Sequence, residues 1–369
     1  VSKEAKPNIA DSATLAEIKL QAIKLAKPVT AKALNEAKAA TDNQFNFDDW
    51  TTEIDDTYLN ITGYKGDRSK QIVVPNGADF AKAGKNDQNL QVEIDQYTLA
   101  GLIVNGVAPK LSNTDGQKIV AKGDNWNWAF WSKNLHDISG LANLDTSKVT
   151  EMVEMFGDNQ ISDLSPLSNW NTSNVTDMDT MFAHNQISDL SPLASWNTGN
   201  VTEMVEMFKD NKISNLSPLA NWNTSKVTYM SNMFADNQIS DLSPLSNWNT
   251  GNVTNMGGMF DSNQISDLRP LASWSTGNVT VMSSMFNNNK ISDLSPLANW
   301  NTGNVTDMSN MFSSNQISDL SPLANWNISN VTDMNNMFWG NQISDLGPLA
   351  NWNVSNVTDM EGMFSDSAF

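Results

Sequence analysis

Tryptophan recurs every 26 residues through the second two thirds of this 369-residue sequence, and this period constrains the fold more than any other feature. One phenylalanine per copy keeps the same step, and all 18 methionines fall at two positions of the unit. A period of about 20–50 residues is the mark of a solenoid, whose coils bury their apolar edges only against neighbouring coils. The repeated aromatic residues are Trp170, Trp196, Trp222, Trp248, Trp274, Trp300, Trp326 and Trp352, with Phe156, Phe182, Phe208, Phe234, Phe260, Phe286, Phe312, Phe338 and Phe364.

The consensus V-T-x-M-x-x-M-F-x-x-N-[QK]-I-S-[DN]-L-x-P-L predicts the parts of each coil. Its first segment, for example Val175–Phe182, is the expected strand. Ser165 and Pro166 predict a short helical turn that ends near Trp170, because serine caps helices and proline suits the first helical position. We therefore predict an α/β solenoid, mainly β, with right-handed parallel coils, about ten in number over residues 126–369.

Two polar columns run along the predicted bends. A buried asparagine amide can pair backbone groups of its own coil and of the adjacent coil. The aspartates either cap backbone N–H groups or bind cations such as calcium, and Asn215, which interrupts their column, favours capping because it keeps the acceptor without the charge. The columns are Asn159, Asn185, Asn211, Asn237, Asn263, Asn289, Asn315 and Asn341, and Asp163, Asp189, Asp241, Asp267, Asp293, Asp319 and Asp345.

Two segments of different composition precede the repeats. Residues 1–45 are rich in alanine and lysine and predict a helical spacer, with a partner-binding helix as the alternative. Residues 46–125 predict a small α/β cap, with strands around Tyr58–Tyr64 and Ile72–Val74, a helix in "GADFAKAG", and a strand followed by a helix in "LQVEIDQYTLAGLIVNG". A solenoid needs such a structured end to close its open core.

The first coil begins near Trp126 in a degenerate form of the repeat. Its apolar positions in register are Phe130, Leu135, Ile138, Leu141 and Leu144. We interpret Trp126, Trp128 and Trp131 as a cluster that seals this coil, with an exposed aromatic binding patch as the alternative.

The repeat resembles two related families. "NQISDLSPLANW" resembles part of internalin-type leucine-rich repeats, and "VTDMxxMFxxN" with "WNTSNVTDM" closely resembles the BspA-like leucine-rich-repeat surface proteins of bacteria. The usual L-x-x-L-x-L-x-x-N becomes M-x-x-M-F-x-x-N here, so we expect a shortened or bulged strand. The resemblance covers Trp126–Phe369 and implies a leucine-rich-repeat fold and attachment at the cell surface, often to host mucus, matrix or other cells.

Charge excludes several functions. The net charge is −19, and most of it lies in the repeats. Such an acidic surface repels nucleic acid and anionic lipid. The chain has no cysteine, and no run of 18 apolar residues, so we expect neither disulfides nor direct membrane insertion.

Positions beside the predicted strand vary between copies while the core residues stay constant. These positions are our candidate ligand-binding residues, and sequence drift without function is the alternative explanation of the variation. In leucine-rich-repeat solenoids the strand side forms an extended sheet face, which is a usual binding surface. The early coils are acidic there, and two later coils carry a large aromatic residue. The candidates are Glu151, Glu154, Asp177, Asp179, Glu203, Glu206, Tyr229 and Trp339.

These features, with the resemblance, predict a bacterial cell-surface adhesin that binds host mucin, a glycan or an extracellular-matrix glycoprotein through its strand face, better at acidic pH. The alternatives are a structural stalk and a receptor-binding module for a host protein. A carboxylate-pair glycosidase needs a cleft, which an open sheet does not offer, so we predict no enzyme and no cofactor. We expect a monomer, excised from a secreted, wall-anchored protein.

Overall fold

The computed structural model describes Glu17 and residues 45–367, so the predicted helical spacer lies almost wholly outside the described residues. Two sheets begin the fold, one of five strands in the order β1-β2-β4-β6-β7 and one that pairs β3 with β5. Only β1 and β2 are antiparallel. The elements are β1 (Trp50–Ile54), β2 (Tyr58–Tyr64), β3 (Val73–Val74), α1 (Gly77–Lys82), β4 (Gln91–Ile94), α2 (Gln96–Ala100), β5 (Lys110–Leu111), β6 (Ile119–Ala121) and β7 (Leu144–Asp145).

The strands and helices expected between residues 46 and 125 are present. The strand β2 covers the predicted Tyr58–Tyr64, and α1 covers the "GADFAK" segment. This helix begins with a capping box, in which the Asn76 and Asp79 side chains bond each other's backbone N–H groups. Only Val73–Val74 of the predicted run pairs as a strand.

Each coil of the solenoid contributes one residue to a continuous parallel ladder. The ladder residue is the x of V-T-x-M, which we call the ladder position. It is occupied by Asn125, Glu151, Asp177, Glu203, Tyr229, Asn255, Val281, Asp307, Asp333 and Asp359. The coils are therefore parallel and in register, as the fold prediction requires. The strand is reduced from the predicted segment Val175–Phe182 to one residue, so the shortened strand expected from the altered motif is confirmed.

Left-handed residues are the reason why the strand is so short. In the coil of Met178, Thr180 has φ 54° and His184 has φ 60°, and equivalent residues repeat through the coils. Each follows the start of a tight turn, as in the bond from the Met181 N–H to the Met178 carbonyl (3.2 Å). The M-x-x-M-F-x-x-N segment is thus two successive turns, which brings Met and Phe side chains to the core without an extended chain.

A single 3₁₀ turn occupies the place of the predicted helix. It begins at Ser165 and ends at Leu167 in the coil that precedes Trp170. The Ser165 side chain makes no cap; instead Asp163 Oδ1 accepts from the Ser165 N–H at 2.8 Å. The 3₁₀ turns within residues 45–367 are Phe47–Asp49, Thr114–Gly116, Ser139–Asn143, Ser165–Leu167, Ser191–Leu193, Ser217–Leu219, Ser243–Leu245, Arg269–Leu271, Ser295–Leu297, Ser321–Leu323 and Gly347–Leu349.

The aspartate column therefore caps bends, as the interruption at Asn215 indicated. Asn215 Oδ1 accepts the Ser217 N–H at 2.9 Å, in the same way as its aspartate equivalents. At Asp189, the hydrogen bonds from Ser191 hold the pKa of the carboxyl below its ordinary value, because they favour the ionised form.

The apolar columns form one continuous core. Phe156 and Phe182 stack with ring centroids 5.9 Å apart and planes 1° from parallel, and the later phenylalanines repeat this arrangement. The tryptophans pack beside them. Trp248 is 4% exposed, and its indole N–H donates to the Leu219 carbonyl of the preceding coil at 3.0 Å. Each tryptophan thus fills the core and links two coils.

The asparagine column ties the bends together as predicted. Asn237 Oδ1 accepts the Ile213 N–H of the preceding coil at 3.0 Å. Its Nδ2 donates to the carbonyl of Phe208 in that coil (2.9 Å) and of Phe234 in its own coil (3.1 Å). One buried amide therefore pairs backbone groups of two adjacent coils.

The tryptophan cluster of the first coil is only partly a core plug. Trp126 is fully buried, as are the predicted apolar positions from Phe130 to Leu144. Trp128 and Trp131 are 54% and 45% exposed, so the sealing role is wrong for these two residues. Their repeat positions explain this result, because they align with Glu154 and Gly157 of the next coil, which belong to the turns outside the core.

Replacing Trp248 by alanine should lower the free energy of unfolding by about 3–5 kcal/mol, because the change leaves a core cavity and an unpaired Leu219 carbonyl. Chemical denaturation followed by circular dichroism measures the loss. Trp339→Ala is the matched control, since its exposed side chain should change stability by about 0.5 kcal/mol or less. Equal midpoints for Trp248→Ala and the parent chain would contradict the buried column.

Deleting residues 46–131 should cause aggregation or loss of expression. The deletion removes Phe130, whose ring lies 5.3 Å from that of Phe156, and it exposes the apolar edge of the next coil. Size-exclusion chromatography and thermal melting of the 132–369 fragment measure the outcome. A soluble monomer that unfolds cooperatively would show that residues 46–125 are not a required cap.

Candidate binding face

The variable side chains form one surface, which we call the strand face. In the coil of Glu151 it consists of Glu151, Val153, Glu154, Gly157 and Asp158, and the same five positions repeat in the other coils. Backbone hydrogen bonds between coils hold it. The N–H groups of Glu154 and Asp158 donate to carbonyls of the next coil at 2.8 and 2.9 Å. The face is therefore a rigid and open platform on which side chains differ between coils.

The structure places all the predicted site residues on this face. The six predicted carboxylates are half-buried. Tyr229 and Trp339 are 41% and 38% exposed, whereas the tryptophans of the core column are nearly inaccessible. Tyr229 occupies the ladder position, next to Glu203 of the preceding coil. Trp339 lies four coils further on, so the face does not bring the two aromatic residues together.

Three of the predicted carboxylates converge. Ligand oxygens of Asp177, Asp179 and Glu203 all lie within 4.8 Å of one another. Asp177 Oδ1 accepts the Asp179 N–H at 3.0 Å, and Asp179 Oδ1 accepts the Val205 N–H at 2.7 Å. Bends within one coil and stacking of the next coil therefore fix the distances between these groups.

Crowding and burial perturb the acidity of this cluster. Burial, and then the neighbouring Glu203 carboxyl, raises the pKa of Asp177 to about 6. Burial, and then the charge of Asp177, raises the pKa of Asp179 to about 6. Both effects disfavour the ionised form, so this part of the face loses negative charge as the pH falls through 6.

The same three oxygens could hold a divalent cation. Calcium takes about six to eight oxygen ligands, so backbone carbonyls and water would have to supply the remainder. Within residues 45–367 this is the group of three acidic side chains whose spacing suits a metal ion, and it is not the aspartate column considered from the sequence.

The other acidic residues of the early coils have individual partners. Glu206 pairs with Lys209 at 3.3 Å. Asp210 lies 2.9 Å from His184 Nδ1. Glu154 Oε2 accepts the indole N–H of Trp128 at 3.1 Å. These contacts order the side chains but leave an excess of carboxylates on the face.

Trp128 and Trp131, predicted to seal the core with an exposed aromatic patch as the alternative, lie on this face. Trp131 stands eight repeats before Trp339 at the same repeat position, and that register would have identified it as an exposed residue. The later coils differ from this end. Their face positions are mostly small and polar, for example Asn255, Ser283 and Asn310.

Comparison with known proteins shows the family. The family described as "Mycoplasma protein of unknown function, DUF285" matches residues 125–240, 206–318 and 288–369. These matches span the whole repeat region, which is about two thirds of the chain, so the chain belongs to this family. No protein of curated function matches it.

Several solved structures are similar. An internalin C2 from Listeria monocytogenes is 27% identical, with a TM-score of 0.39, and the match covers 58% of this chain and 78% of that chain. The plant peptide hormone receptor RGFR1 in complex with RGF2 is 14% identical, with a TM-score of 0.41, over 74% of this chain and 43% of that chain. A TDR receptor is 12% identical, with a TM-score of 0.47, over 82% and 48%. This chain thus spans less than half the length of either receptor chain.

No helix within residues 45–367 combines the length and the apolar character needed to cross a bilayer.

Asp177→Asn should raise the melting temperature at pH 8 and have little effect at pH 4. A carboxyl whose pKa is about 6 in the folded state and near 4 when unfolded takes up its proton first in the folded chain, so folding becomes more favourable as the pH falls from above 6 toward 4. Asparagine is neutral at every pH, so the variant has this stabilisation at pH 8 as well. We expect its free energy of unfolding at pH 8 to be higher by about 1 kcal/mol, a figure reduced to allow for solvent screening.

The amide also keeps the local hydrogen bond, because Asn255 at the same ladder position accepts the Gly257 N–H at 2.8 Å. Asp163→Asn is the matched control for charge. The Asp163 side chain is exposed, and the equivalent bend two coils later has asparagine, Asn215, at the same position. Thermal melting of both variants from pH 4 to 8 measures the effect. An Asp177→Asn shift that does not depend on pH would contradict the raised pKa.

Proposed function

We propose that this protein is the binding module of a bacterial cell-surface adhesin, and that its strand face takes host mucin or another glycoprotein as partner. The observation that carries the proposal is the strand face itself, on which the exposed side chains change from coil to coil over an unchanging core. The resemblance of the repeats to BspA-like surface proteins supports a place outside the cell and a role in attachment.

The later coils offer the chemistry that a glycoprotein requires. Their face carries asparagine and serine side chains, which donate and accept hydrogen bonds, and the exposed indole of Trp339 provides an apolar surface. Aromatic side chains with one polar edge are favoured at binding interfaces because they combine large contact area with a hydrogen-bonding group. A glycan or the polypeptide that carries it would contact both kinds of group.

The acidic early coils oppose an anionic partner. Mucins carry negative charge through sialic acid and sulfate, so at neutral pH they are repelled by the crowded carboxylates of Asp177, Asp179 and Glu203. Protonation of Asp177 and Asp179, whose pKa values are raised to about 6, removes part of that repulsion. The proposed adhesin therefore binds mucin more strongly as the pH falls from 7 toward 5, and added salt also strengthens binding.

Substituting glutamine for Glu151, Glu154, Glu203 and Glu206 should raise mucin binding at pH 7 by several-fold, because four repelling charges disappear. The pH dependence should remain, since Asp177 and Asp179 are kept. Trp339→Ala should weaken binding at every pH. Biolayer interferometry measures the binding of the parent chain and of each variant to immobilised mucin, between pH 4.5 and 7.5 at two salt concentrations.

A second variant controls for net charge. Asparagine at Asp163, Asp189, Asp241 and Asp293 removes four charges from the bends outside the strand face, and it should change mucin binding less. Mucin treated with sialidase should lose part of the pH dependence. Unchanged binding by the glutamine variant and by Trp339→Ala would show that the strand face is not the mucin-binding surface.

A further inference from the structure

Two exposed tryptophans occupy one turn at the amino-terminal end of the strand face. Trp128 and Trp131 are the most exposed large apolar side chains of the solenoid coils, at 54% and 45%. The Trp131 N–H donates to the Trp128 carbonyl at 3.2 Å, so the two residues are the ends of a single tight turn. We call this pair the tryptophan turn. It is separate from Trp339, which lies at the opposite end of the face.

Trp128 is held there against its backbone preference. Its φ of 59° lies in the left-handed region, which suits glycine and asparagine better than a bulky residue. Two later coils place Asn232 and Gly258 at this position, so the fold itself does not require a tryptophan. The bond from the indole N–H to Glu154 fixes the direction of the ring and leaves more than half of the side chain exposed.

The surface next to the tryptophan turn carries an excess of negative charge. Ser132 at the end of that turn donates to Asp158 at 2.8 Å, which brings a carboxylate of the next coil beside it. Among the strand-face positions of the first four coils the one lysine, Lys209, is paired with Glu206. Lys133 is exposed on the bend that follows the turn. The carboxylates of these coils are Glu151, Glu154, Asp158, Asp177, Asp179, Glu203, Glu206 and Asp210.

We propose that the tryptophan turn and the carboxylates beside it bind a basic polypeptide segment, one that carries several arginine or lysine side chains, on a protein partner. Guanidinium and ammonium groups are attracted to the face of an indole ring, and tryptophan provides the strongest such attraction among the aromatic residues. The carboxylates of the next coils complement the remaining cations, and arginine can engage them with two hydrogen bonds.

The charge of this surface favours a basic segment over an anionic glycan or an apolar peptide. The same carboxylates repel sialylated or sulfated glycans, so the mucin proposed above suits the later coils and not this end. An apolar peptide would leave the carboxylates desolvated and unpaired, which is unfavourable. The basic segment is therefore a second kind of contact at a second place on the strand face, and it does not depend on mucin binding.

The test measures the binding of a fluorescein-labelled octa-arginine peptide to the full chain, by fluorescence polarisation at several salt concentrations. Alanine at both Trp128 and Trp131, which leaves every charge in place, should weaken binding about five- to thirty-fold, as expected for the loss of two cation–π contacts. Phenylalanine at both positions should restore part of it. Glu154→Gln should weaken binding and reduce its salt dependence.

Controls separate this site from general attraction to an acidic protein. Trp339→Ala removes an exposed tryptophan at the same repeat position as Trp131 and should leave peptide binding unchanged. Circular dichroism and thermal melting show whether each variant is folded. Equal binding by the folded alanine double variant and the parent chain would overturn the proposal, and so would an equal loss in Trp339→Ala.

A neutral glycan gives a further outcome. If the alanine double variant loses binding to asialo-mucin but retains octa-arginine binding, the tryptophan turn is a sugar platform and the proposal is wrong. The proposed mucin function is judged separately, because it depends on Trp339 and is measured with intact mucin.

Discussion

The buried asparagine of each bend is the constraint on which the rest of the structure depends. Asn159 shows it in the first complete pair of coils. Its Oδ1 accepts the N–H groups of Lys133 and Leu135, and its Nδ2 donates to the carbonyls of Phe130 and Phe156. Aspartate lacks the donor, serine lacks the reach, and glutamine is too long. Each buried backbone group left unpaired would cost about 1–3 kcal/mol, so this amide sets both the spacing and the register of neighbouring coils. The strand face inherits its rigidity from that register.

The left-handed turns decide which side chains suit the face. A residue other than glycine, asparagine or aspartate costs about 1–2 kcal/mol in this conformation. Most later coils place asparagine or glycine at the first left-handed position, for example Asn232, Gly258 and Asn310, which minimises that cost. The acidic end instead has Trp128 and Glu154 there. Local strain that the surrounding structure maintains is a feature of functional sites, and here it coincides with the most exposed aromatic residue of the coils and with its carboxylate partner.

The sequence predicted the columns of the core well, because each apolar letter recurs at one place in a fixed period. Phe130 and Leu135 were assigned to the core from register alone, and both are buried. It did not predict the turns, since residues such as Glu154 and Thr180 carry no mark of a left-handed conformation. The cap of the 3₁₀ turn was assigned to Ser165 although Asp163 provides it, because both residues suit that role and only the geometry of the bend decides.

The sequence predicted which residues belong to the candidate site but not their pKa values. The variation between copies identified Asp177 and Asp179 as surface residues, yet half-burial and the approach of Glu203 are what raise their pKa values. Those quantities depend on how closely the coils stack. The error at Trp128 and Trp131 has a different origin, because tryptophan was taken as a core residue by type. Aligning the first coil with the second would have placed both residues outside the core.

In a solenoid, the residues required for folding are separate from those available for recognition. In this chain the core residues stay constant from coil to coil, whereas the residues of the strand face differ. Each coil buries the same methionine, phenylalanine and tryptophan columns, so face residues of one coil change without altering the core of the next. Carboxylates can therefore accumulate over the first four coils, although their mutual repulsion is unfavourable, while the later coils remain mostly polar. Repulsion between neighbouring coils is local, because charges more than about 8 Å apart are screened at physiological salt. The two ends of one rigid face can thus recognise different partners, a basic segment at the tryptophan turn and a glycoprotein near Trp339.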